Sequence, residues 1–397
     1  MKDKNKILST VSIYHAFNDG VVVVIPLLFP IFKIMFDLSY TQIGVITGGG
    51  LLVTLVMQLL IGRISDRKNR VFLLSFGILL MSGSVLLLTN VRGFITLMLF
   101  VFLIRFSAGF YHPTGIGWIS RIFKGKKVDG AMGIQSAAGD FGAFIALLTT
   151  LFIVENTDWS FPLYLWAIGG TICLFIGIFL TTSIDLDFLK VSNVNNKKQA
   201  ITKSLREELN YLKEIKMFIP AFIISGAAWG IIVTYLPLLL VEKTHLSLTA
   251  IGLLISVWIG IGTIICLVYD RIQKTVGRKN VVIISYLTMA LMAFCLTIFT
   301  NIFVLIIIMI LLGLSTFLTY PALFSFVSDL IDKDIIGTTF AYTFTVQLGG
   351  GTILIFLGGF FSDIWGIWTP FFILGVISLY VTLKLLVDFK KLAKRSR

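Results

Sequence analysis

The chain has 397 residues, of which 57% are hydrophobic and only 13% are charged. Soluble domains carry roughly 25% charged residues, so this balance excludes an ordinary soluble protein and indicates an integral membrane protein. The formal net charge is +13. Membrane topology accounts for this excess of basic residues, as described below, so the positive charge does not indicate a nucleic-acid partner and we expect none.

Apolar stretches long enough to cross a bilayer recur from Ile7 almost to the C-terminus. A crossing needs about 20 such residues, and the pattern predicts an all-α protein with twelve transmembrane helices. We expect a monomer embedded in the lipid bilayer. No cleavage site follows the N-terminal segment MKDKNK, so the first helix is expected to be retained. The predicted spans are 7–34, 43–62, 71–90, 94–120, 130–154, 161–182, 217–241, 250–270, 280–299, 302–328, 336–361 and 366–388.

Lysine and arginine are distributed unequally between the two sides of these spans. With the N-terminus placed in the cytoplasm, 29 of the 33 basic residues fall on the cytoplasmic side. Lys33, Arg92 and Lys243 fall on the outer side, and Arg105 lies inside a span. The positive-inside rule therefore predicts that both termini are cytoplasmic. We expect a multi-pass protein in the cell membrane of a prokaryote.

The spans form two related sets of six, separated by a polar stretch. LSYTQIG at 38–44 returns as LSLTAIG at 246–252, and further matches share the same offset of 208 residues. Internal duplication of helical units is typical of secondary transporters, which bind substrate near the midplane between the repeats. The predicted domains are an N-terminal six-helix bundle (1–182), a cytoplasmic linker with an amphipathic or fully solvated helix (183–216), and a C-terminal six-helix bundle (217–397).

The loop GRISDRKNR (62–70) resembles the cytoplasmic signature G-x-L-x-D-R-x-G-R-K of the major facilitator superfamily (MFS), and DRIQKTVGRK (270–279) is its counterpart in the second half. The resemblance covers essentially the whole chain and implies the MFS fold of two pseudo-symmetric bundles. Asn69 replaces the second glycine of the signature, which we expect to be tolerated because Asn adopts the left-handed conformation.

The same resemblance implies that these loops act as a conformational gate on the cytoplasmic side. A role in topology alone would explain the basic residues of the loops but not Asp66. The candidate gate residues are Gly62, Asp66, Arg67, Arg70, Gly277, Arg278 and Lys279.

Three further segments resemble the fosmidomycin-resistance branch of efflux transporters: HAFND (15–19), YHP (111–113) and QSAAGDFG (135–142). The segment RFSAG (105–109) partly matches the R-x-x-Q-G signature of proton-coupled antiporters, with Ala108 in place of the glutamine. The resemblance implies efflux of a small molecule.

Five ionisable side chains lie inside predicted spans, where such residues are costly and usually functional. These candidate proton-coupling residues are Asp19, Arg105, Asp140, His15 and His112. The helical rise of about 1.5 Å per residue puts Asp19, Arg105 and Asp140 at similar depth near the midplane, and we expect Arg105 to pair with Asp140 or Asp19. Alternatively, the pair is purely structural, and His112 only satisfies a carbonyl group freed by Pro113.

The second half has no ionisable residue at the equivalent positions. We therefore predict that the first half carries ion coupling and that the second half supplies an aromatic and amide wall. The candidate substrate-cavity residues are Asn18, Gln135, Trp229, Tyr235, Trp258, Tyr320 and Gln347. Asn18 and Gln135 could instead be ordinary interhelical hydrogen-bonding residues, and the aromatic residues could serve packing alone.

The sequence shows no Walker motif, no H-E-x-x-H pair, no nucleophile elbow and no cysteine cluster. We therefore predict no enzyme activity, no cofactor and no metal site. The leading hypothesis is a secondary active transporter that works by alternating access and exports a small organic molecule or drug by proton-coupled antiport. The alternative is a proton symporter or facilitator that imports an organic anion or metabolite, bound by Arg105. A membrane-embedded enzyme would need its polar cluster at a membrane face instead of the midplane.

Overall fold

The computed structural model describes residues 2–65, 69–123, 126–182, 184, 215–330 and 336–395. These residues are almost entirely helical, and no strand occurs among them. The helices are α1 (Lys2–Leu27), α2 (Phe29–Met35), α3 (Tyr40–Ser65), α4 (Arg70–Leu88), α5 (Phe94–Ala108), α6 (Tyr111–Ile122), α7 (Lys126–Asn156), α8 (Phe161–Thr182), α9 (Ile219–Lys243), α10 (Leu248–Leu267), α11 (Tyr269–Val276), α12 (Arg278–Ile298), α13 (Ile302–Leu330), α14 (Ile336–Trp365) and α15 (Thr369–Arg395).

Within the described ranges, twelve segments are long and apolar enough to cross a membrane. This confirms the predicted number of spans. The first predicted span divides at Leu28 into α1 and α2, with Pro30 near the start of α2, where a proline's missing N–H is not needed. Of the linker predicted at 183–216, which was expected to contain a helix, only residues 184, 215 and 216 are described.

The fourth span is divided into α5 and α6 by a turn at Gly109 and Phe110. Pro113 has no N–H to donate to the carbonyl group of Gly109. The N–H groups of Gly109 and Phe110 donate instead to the carbonyl groups of Phe106 and Ser107, at 3.2 and 3.1 Å. These bonds to the third preceding residue tighten the chain locally. The kink expected from Pro113 thus takes the form of one tightened turn, in which Gly109 and Phe110 keep helical backbone angles, and we call α6 the half-helix that follows it.

The described residues pack as two compact units. The first comprises Met1–Asn193 with Leu240–Ser256, and the second comprises Val194–Leu239 with Val257–Arg397. The most extensive helix contact of the first unit joins α1 to α7. A Cβ atom at Gly142 of α7 would lie 1.8 Å from the carbonyl oxygen of Ala16 in α1. Only glycine permits this approach, and the two backbones touch directly.

The first unit also includes the junction between α9 and α10. The hydroxyl of Tyr40 donates to the carboxylate of Glu242. The backbone N–H of Thr249 donates to the carboxylate of Glu155 at 2.8 Å, and its hydroxyl donates to the same oxygen. These contacts fasten residues 240–256 to the ends of α3 and α7, which the internal repeat did not predict.

Buried polar contacts join helices of the second unit. The hydroxyl of Tyr286 on α12 donates to the carbonyl oxygen of Ala221 on α9 at 2.6 Å. Tyr320 on α13 donates to the carbonyl oxygen of Ser225 at 3.2 Å. Each hydroxyl donates to a backbone carbonyl of α9, so these bonds hold α12 and α13 against α9.

The turns before α4 and α12 differ, although the sequence repeat aligns Asn69 with Gly277. Gly277 has φ +82°, which favours glycine. Asn69 has φ −63° and ψ 117°, and its side-chain oxygen accepts hydrogen bonds from the N–H groups of Val71 and Phe72 at 2.9 and 3.3 Å. The expectation that Asn69 replaces glycine by adopting the left-handed conformation is therefore wrong. Asn69 is the N-cap of α4.

Replacing Gly277 by alanine is expected to destabilise the second unit by about 1 kcal/mol, because a Cβ atom disfavours positive φ. Thermal unfolding of the purified protein measures the effect. The matched control is Gly83→Ala in α4, where a Cβ atom would meet nothing within 4 Å and helix propensity favours alanine. An equal melting temperature for Gly277→Ala and Gly83→Ala would contradict the prediction.

Candidate functional site

Helices α1, α6 and α7 of the first unit bring together a cluster of ionisable side chains. His15 and Asp19 lie four residues apart on one face of α1, and His112 lies in the first turn of α6. One ligand-type atom from each of these three residues lies within 4.8 Å of those of the other two. We call His15, Asp19 and His112 the His-Asp-His cluster.

The orientation of His15 is fixed by the backbone of α7. Its Nδ1 lies 2.7 Å from the carbonyl oxygen of Gln135. Since a carbonyl oxygen only accepts hydrogen bonds, Nδ1 carries the proton, and Nε2 of a neutral ring presents its lone pair. That Nε2 lies 3.1 Å from Oδ2 of Asp19. Two acceptors this close attract each other only when a proton or another cation lies between them.

Asp19 connects the cluster to its surroundings. Its Oδ1 accepts a hydrogen bond from the amide of Asn18 at 2.8 Å, which leaves Oδ2 facing His15. The Asp19 side chain is 30% exposed, whereas that of His15 is 7% exposed. The carboxylate also interacts electrostatically with His112 and Arg105. Within the cluster, Asp19 and His112 thus keep accessible surface, whereas His15 is buried.

Tyr111 holds the half-helix α6 against α1 and α7. Its buried hydroxyl lies 3.1 Å from the carbonyl oxygen of Val11 and 3.0 Å from the side-chain oxygen of Gln135. Its ring stacks on that of His15 with centroids 4.4 Å apart. The ring of His112 meets the ring of His15 edge-on at 5.2 Å. The sequence indicated Tyr111 only as part of the YHP motif, and its positioning role was missed.

Replacing Tyr111 by phenylalanine is expected to cost about 1 to 2 kcal/mol of stability, because the acceptors on Val11 and Gln135 lose a buried donor. Thermal unfolding measures the loss. The matched control is Tyr164→Phe in α8, where the side chain is exposed. If the two variants melted at the same temperature, the proposed anchoring of α6 would be wrong.

Arg105 is buried near the end of α5, only 4% exposed. In the part of the chain that the structure describes, its Nε has no hydrogen-bond partner and no carboxylate lies within 4 Å of the guanidinium. The pairing expected with Asp140 or Asp19 is therefore not made as a direct contact. Asn18 and His15 occupy the oxygens of Asp19, so Arg105 and Asp19 attract each other at longer range. Asp140 interacts electrostatically with His15.

The residues predicted to form an aromatic and amide wall lie in the second unit: Trp229, Tyr235, Trp258, Tyr320 and Gln347. Tyr235 and Trp258 are fully buried, and the hydroxyl of Tyr235 donates to the carbonyl oxygen of Ile355 at 2.6 Å. Trp229 is half-buried and keeps some accessible surface. Lining of a substrate cavity stays a prediction for all five.

The candidate gate residues are described only in part, because Asp66 and Arg67 lie outside the described residues. Arg70 is buried at the start of α4, and a Cβ atom at Gly62 would lie 3.8 Å from Pro113 in α6. Arg278 donates to the carbonyl oxygen of Ser325 on α13 at 3.1 Å. The ammonium of Lys279 lies 5.3 Å from the ring centroid of Phe389. Gating by these loops stays a prediction.

Twelve candidate membrane spans define a multi-pass membrane protein, and ionisable side chains buried among its helices are typical of a transporter. The chain belongs to the Major Facilitator Superfamily, whose family model matches residues 11–354. This membership confirms the fold and the superfamily that the cytoplasmic loop signature indicated.

Two bacterial proteins match part of the chain. The uncharacterized MFS-type transporter YfnC of Bacillus subtilis (strain 168) is 32% identical over 148 residues, and the fosmidomycin resistance protein of Escherichia coli (strain K12) is 25% identical over 148 residues. Each match covers 37% of this chain and 36% of the relative, so the chain is matched to little more than a third of each relative's length.

A crystal structure of a POT family transporter in complex with a thioalcohol-conjugated peptide has the same fold. It superposes with a TM-score of 0.80 at 13% sequence identity, covering 97% of this chain and 96% of the transporter. At this identity the similarity concerns the fold alone.

Proposed function

We propose that this transporter is a proton-coupled antiporter that exports a small organic molecule or drug by alternating access. The observation that carries the proposal is the contact of 3.1 Å between Nε2 of His15 and Oδ2 of Asp19. Because both atoms are acceptors when the ring is neutral, this pair is a binding place for a proton. The proposal includes both termini in the cytoplasm of a prokaryotic cell, as the distribution of basic residues predicts.

Proton binding to this pair would weaken the electrostatic attraction between Asp19 and Arg105. A proton shared between His15 and Asp19 neutralises much of the carboxylate charge that attracts the arginine. Release of Arg105 toward an acceptor group of a substrate would let proton and substrate bind together, as symport requires. A substrate group that binds Asp19 itself instead competes with the proton for that carboxylate, and the proposed antiport uses this competition. Proton and substrate thus alter each other's affinity through one carboxylate, which is the linkage that transport coupling requires.

His112 and Asp140 complete the proposed proton path. The His112 ring lies beside His15, and imidazole exchanges protons near neutral pH. Asp140 acts on His15 electrostatically from α7. Asn18 and Gln135 orient Asp19 and His15 by hydrogen bonds. In the second unit, Trp229 and Gln347 are proposed to contact the substrate.

Import of an organic anion by proton symport or facilitation is the second candidate. It is favoured by Arg105, whose guanidinium has no carboxylate within 4 Å among the described residues and would suit an anionic substrate. Both candidates use the same cluster and differ in the direction of proton movement.

Proton flux in proteoliposomes tests the proposal. The purified protein is reconstituted with a pH-sensitive dye inside, and antibiotics and organic anions are added outside. Antiport of an entering compound against protons makes the interior alkaline, whereas symport makes it acidic. An alkaline response is expected, and an acidic response would establish the second candidate. Uptake of a labelled compound without any pH change would overturn proton coupling.

A further inference from the structure

We propose that the His-Asp-His cluster binds one divalent transition-metal ion of the Zn²⁺, Co²⁺ and Ni²⁺ class. His15 and His112 would each supply one ring nitrogen, and Asp19 one carboxylate oxygen. This departs from the expectation of no metal site. That the ion serves transport, as cargo or as coupling ion, rests on the proposed function, whereas binding itself does not.

The ligand atoms have the spacing that one ion requires. Two ligands at about 2.0 to 2.2 Å from a tetrahedral Zn²⁺ are about 3.3 Å apart. Nε2 of His15 and Oδ2 of Asp19 are 3.1 Å apart, and a nitrogen of His112 lies within 4.8 Å of both. His112 would have to move closer to the other two side chains to complete a three-ligand site.

The groups behind the ligands are also those of a metal site. A metal-bound histidine usually donates its other N–H group to a carbonyl or carboxylate, which fixes the tautomer. His15 does so through Nδ1, 2.7 Å from the carbonyl oxygen of Gln135. The second oxygen of Asp19 accepts from Asn18 at 2.8 Å. His112 makes no ring hydrogen bond to any described residue, so its nitrogens are available for an ion.

Gly139 leaves the space in which the ion would lie. A Cβ atom at this position of α7 would be 2.7 Å from Nε2 of His15 and 2.8 Å from Oδ2 of Asp19. Any larger residue would therefore push directly against both ligand atoms. Three protein ligands and a partly exposed Asp19 leave a fourth position for water or for an oxygen of a substrate.

The charges near the cluster favour a cation that competes with protons. Asp19 and Asp140 oppose the single charge of Arg105, so with neutral histidines these groups carry a net charge of −1. Tyr111, the other titratable group against His15, is neutral in the physiological range. A metal ligand must be deprotonated, so binding weakens as acid protonates the histidines. Proton and metal ion are alternative occupants of one place.

Metal titration of the purified protein in detergent, without a polyhistidine tag, tests the proposal. The visible absorption of Co²⁺ reports its coordination number and geometry, and Zn²⁺ affinity is measured by competition with a chromogenic chelator. One ion per chain is expected. His112→Asn, which adds no bulk, and Gly139→Ala should each weaken Zn²⁺ binding on the order of 100-fold or more.

Two matched controls accompany these variants. His245→Ala removes the remaining histidine of the chain, which is exposed. Gly133→Ala adds a methyl group to the same helix as Gly139, where nothing lies within 4 Å. Both should bind like the wild-type protein. If Gly139→Ala fails to elute as a single monodisperse species, His112→Asn decides alone.

The absence of stoichiometric binding, its loss in His245→Ala, or unchanged affinity in His112→Asn would overturn the metal site. These results do not depend on transport. Substrate-evoked proton flux without metal binding would support the proposed antiport and refute the metal site. Metal binding without proton flux would support the metal site and refute the proposed proton coupling.

Discussion

Substrate-evoked proton flux is expected to fall to the level of protein-free liposomes in Asp19→Asn. The amide cannot bind the transported proton, and it removes the carboxylate that attracts both His112 and Arg105. The substitution keeps the size of the side chain, so the hydrogen bond with Asn18 need not be lost. The measurement is the dye response described above, at equal protein-to-lipid ratio for the two proteins.

Asp158→Asn is the matched control for Asp19→Asn. Asp158 is exposed, and hydrogen bonds from the hydroxyl and the N–H of Ser160 hold the pKa of its carboxyl below the ordinary value. A lowered pKa keeps this carboxylate ionised at neutral pH, and its replacement should leave flux unchanged. Asp140→Asn completes the set. Flux that survives in Asp19→Asn and disappears in Asp140→Asn would transfer the proton-binding role to Asp140.

Gly142→Ala is expected to be the most damaging single substitution for folding. Its Cβ atom would stand 1.8 Å from the carbonyl oxygen of Ala16. Backbone atoms cannot move aside as a flexible side chain can, so α1 and α7 would have to separate along their whole contact. We expect a loss of about 3 kcal/mol or more, at the upper end of overpacking effects. Size-exclusion chromatography and thermal unfolding of the solubilised protein measure it.

Gly133→Ala on the same helix is the control, since it changes the same residue type where space is open. Its elution profile and melting temperature should equal those of the wild-type protein. A well-behaved Gly142→Ala with an unchanged melting temperature would show that α1 and α7 are not packed backbone to backbone. The orientation of His15 by Gln135 would then have to be reconsidered, because that hydrogen bond spans the same contact.

The membrane spans could be predicted because hydrocarbon demands continuous apolar helices, and the sequence states their number directly. The helix interruptions were harder to predict. Pro113 and Pro321 occupy equivalent positions of the repeat, yet α13 is continuous through Pro321. The equivalent of Gly109 in the second half is Phe317, whose ring packs against Trp258 with centroids 5.4 Å apart. Both halves have a proline at this position but differ in the packing of the neighbouring side chains, so the proline alone does not predict where a helix is interrupted.

The site was predictable in its residues more than in its contacts. His15 and Asp19 could be placed on one face of α1 from their spacing alone. The meeting of His15 with His112, 97 positions away in the sequence, depends on how α6 leans on α1 after the turn. The same holds for the carbonyl group of Gln135, because a backbone acceptor has no signature in a sequence. Metal-site motifs of fixed local spacing could not reveal ligands from two helices.

The cluster takes its side chains from two separate elements of the first unit. His15 and Asp19 belong to α1, which packs backbone to backbone against α7. His112 belongs to the half-helix α6, and only two residues, Gly109 and Phe110, separate α6 from the end of α5. A small rotation of α6 about the turn at Gly109 and Phe110 would change the distance from His112 to His15 and Asp19. The coordination geometry of a bound Co²⁺ would consequently report the orientation of α6 relative to α1 in each state of the transport cycle.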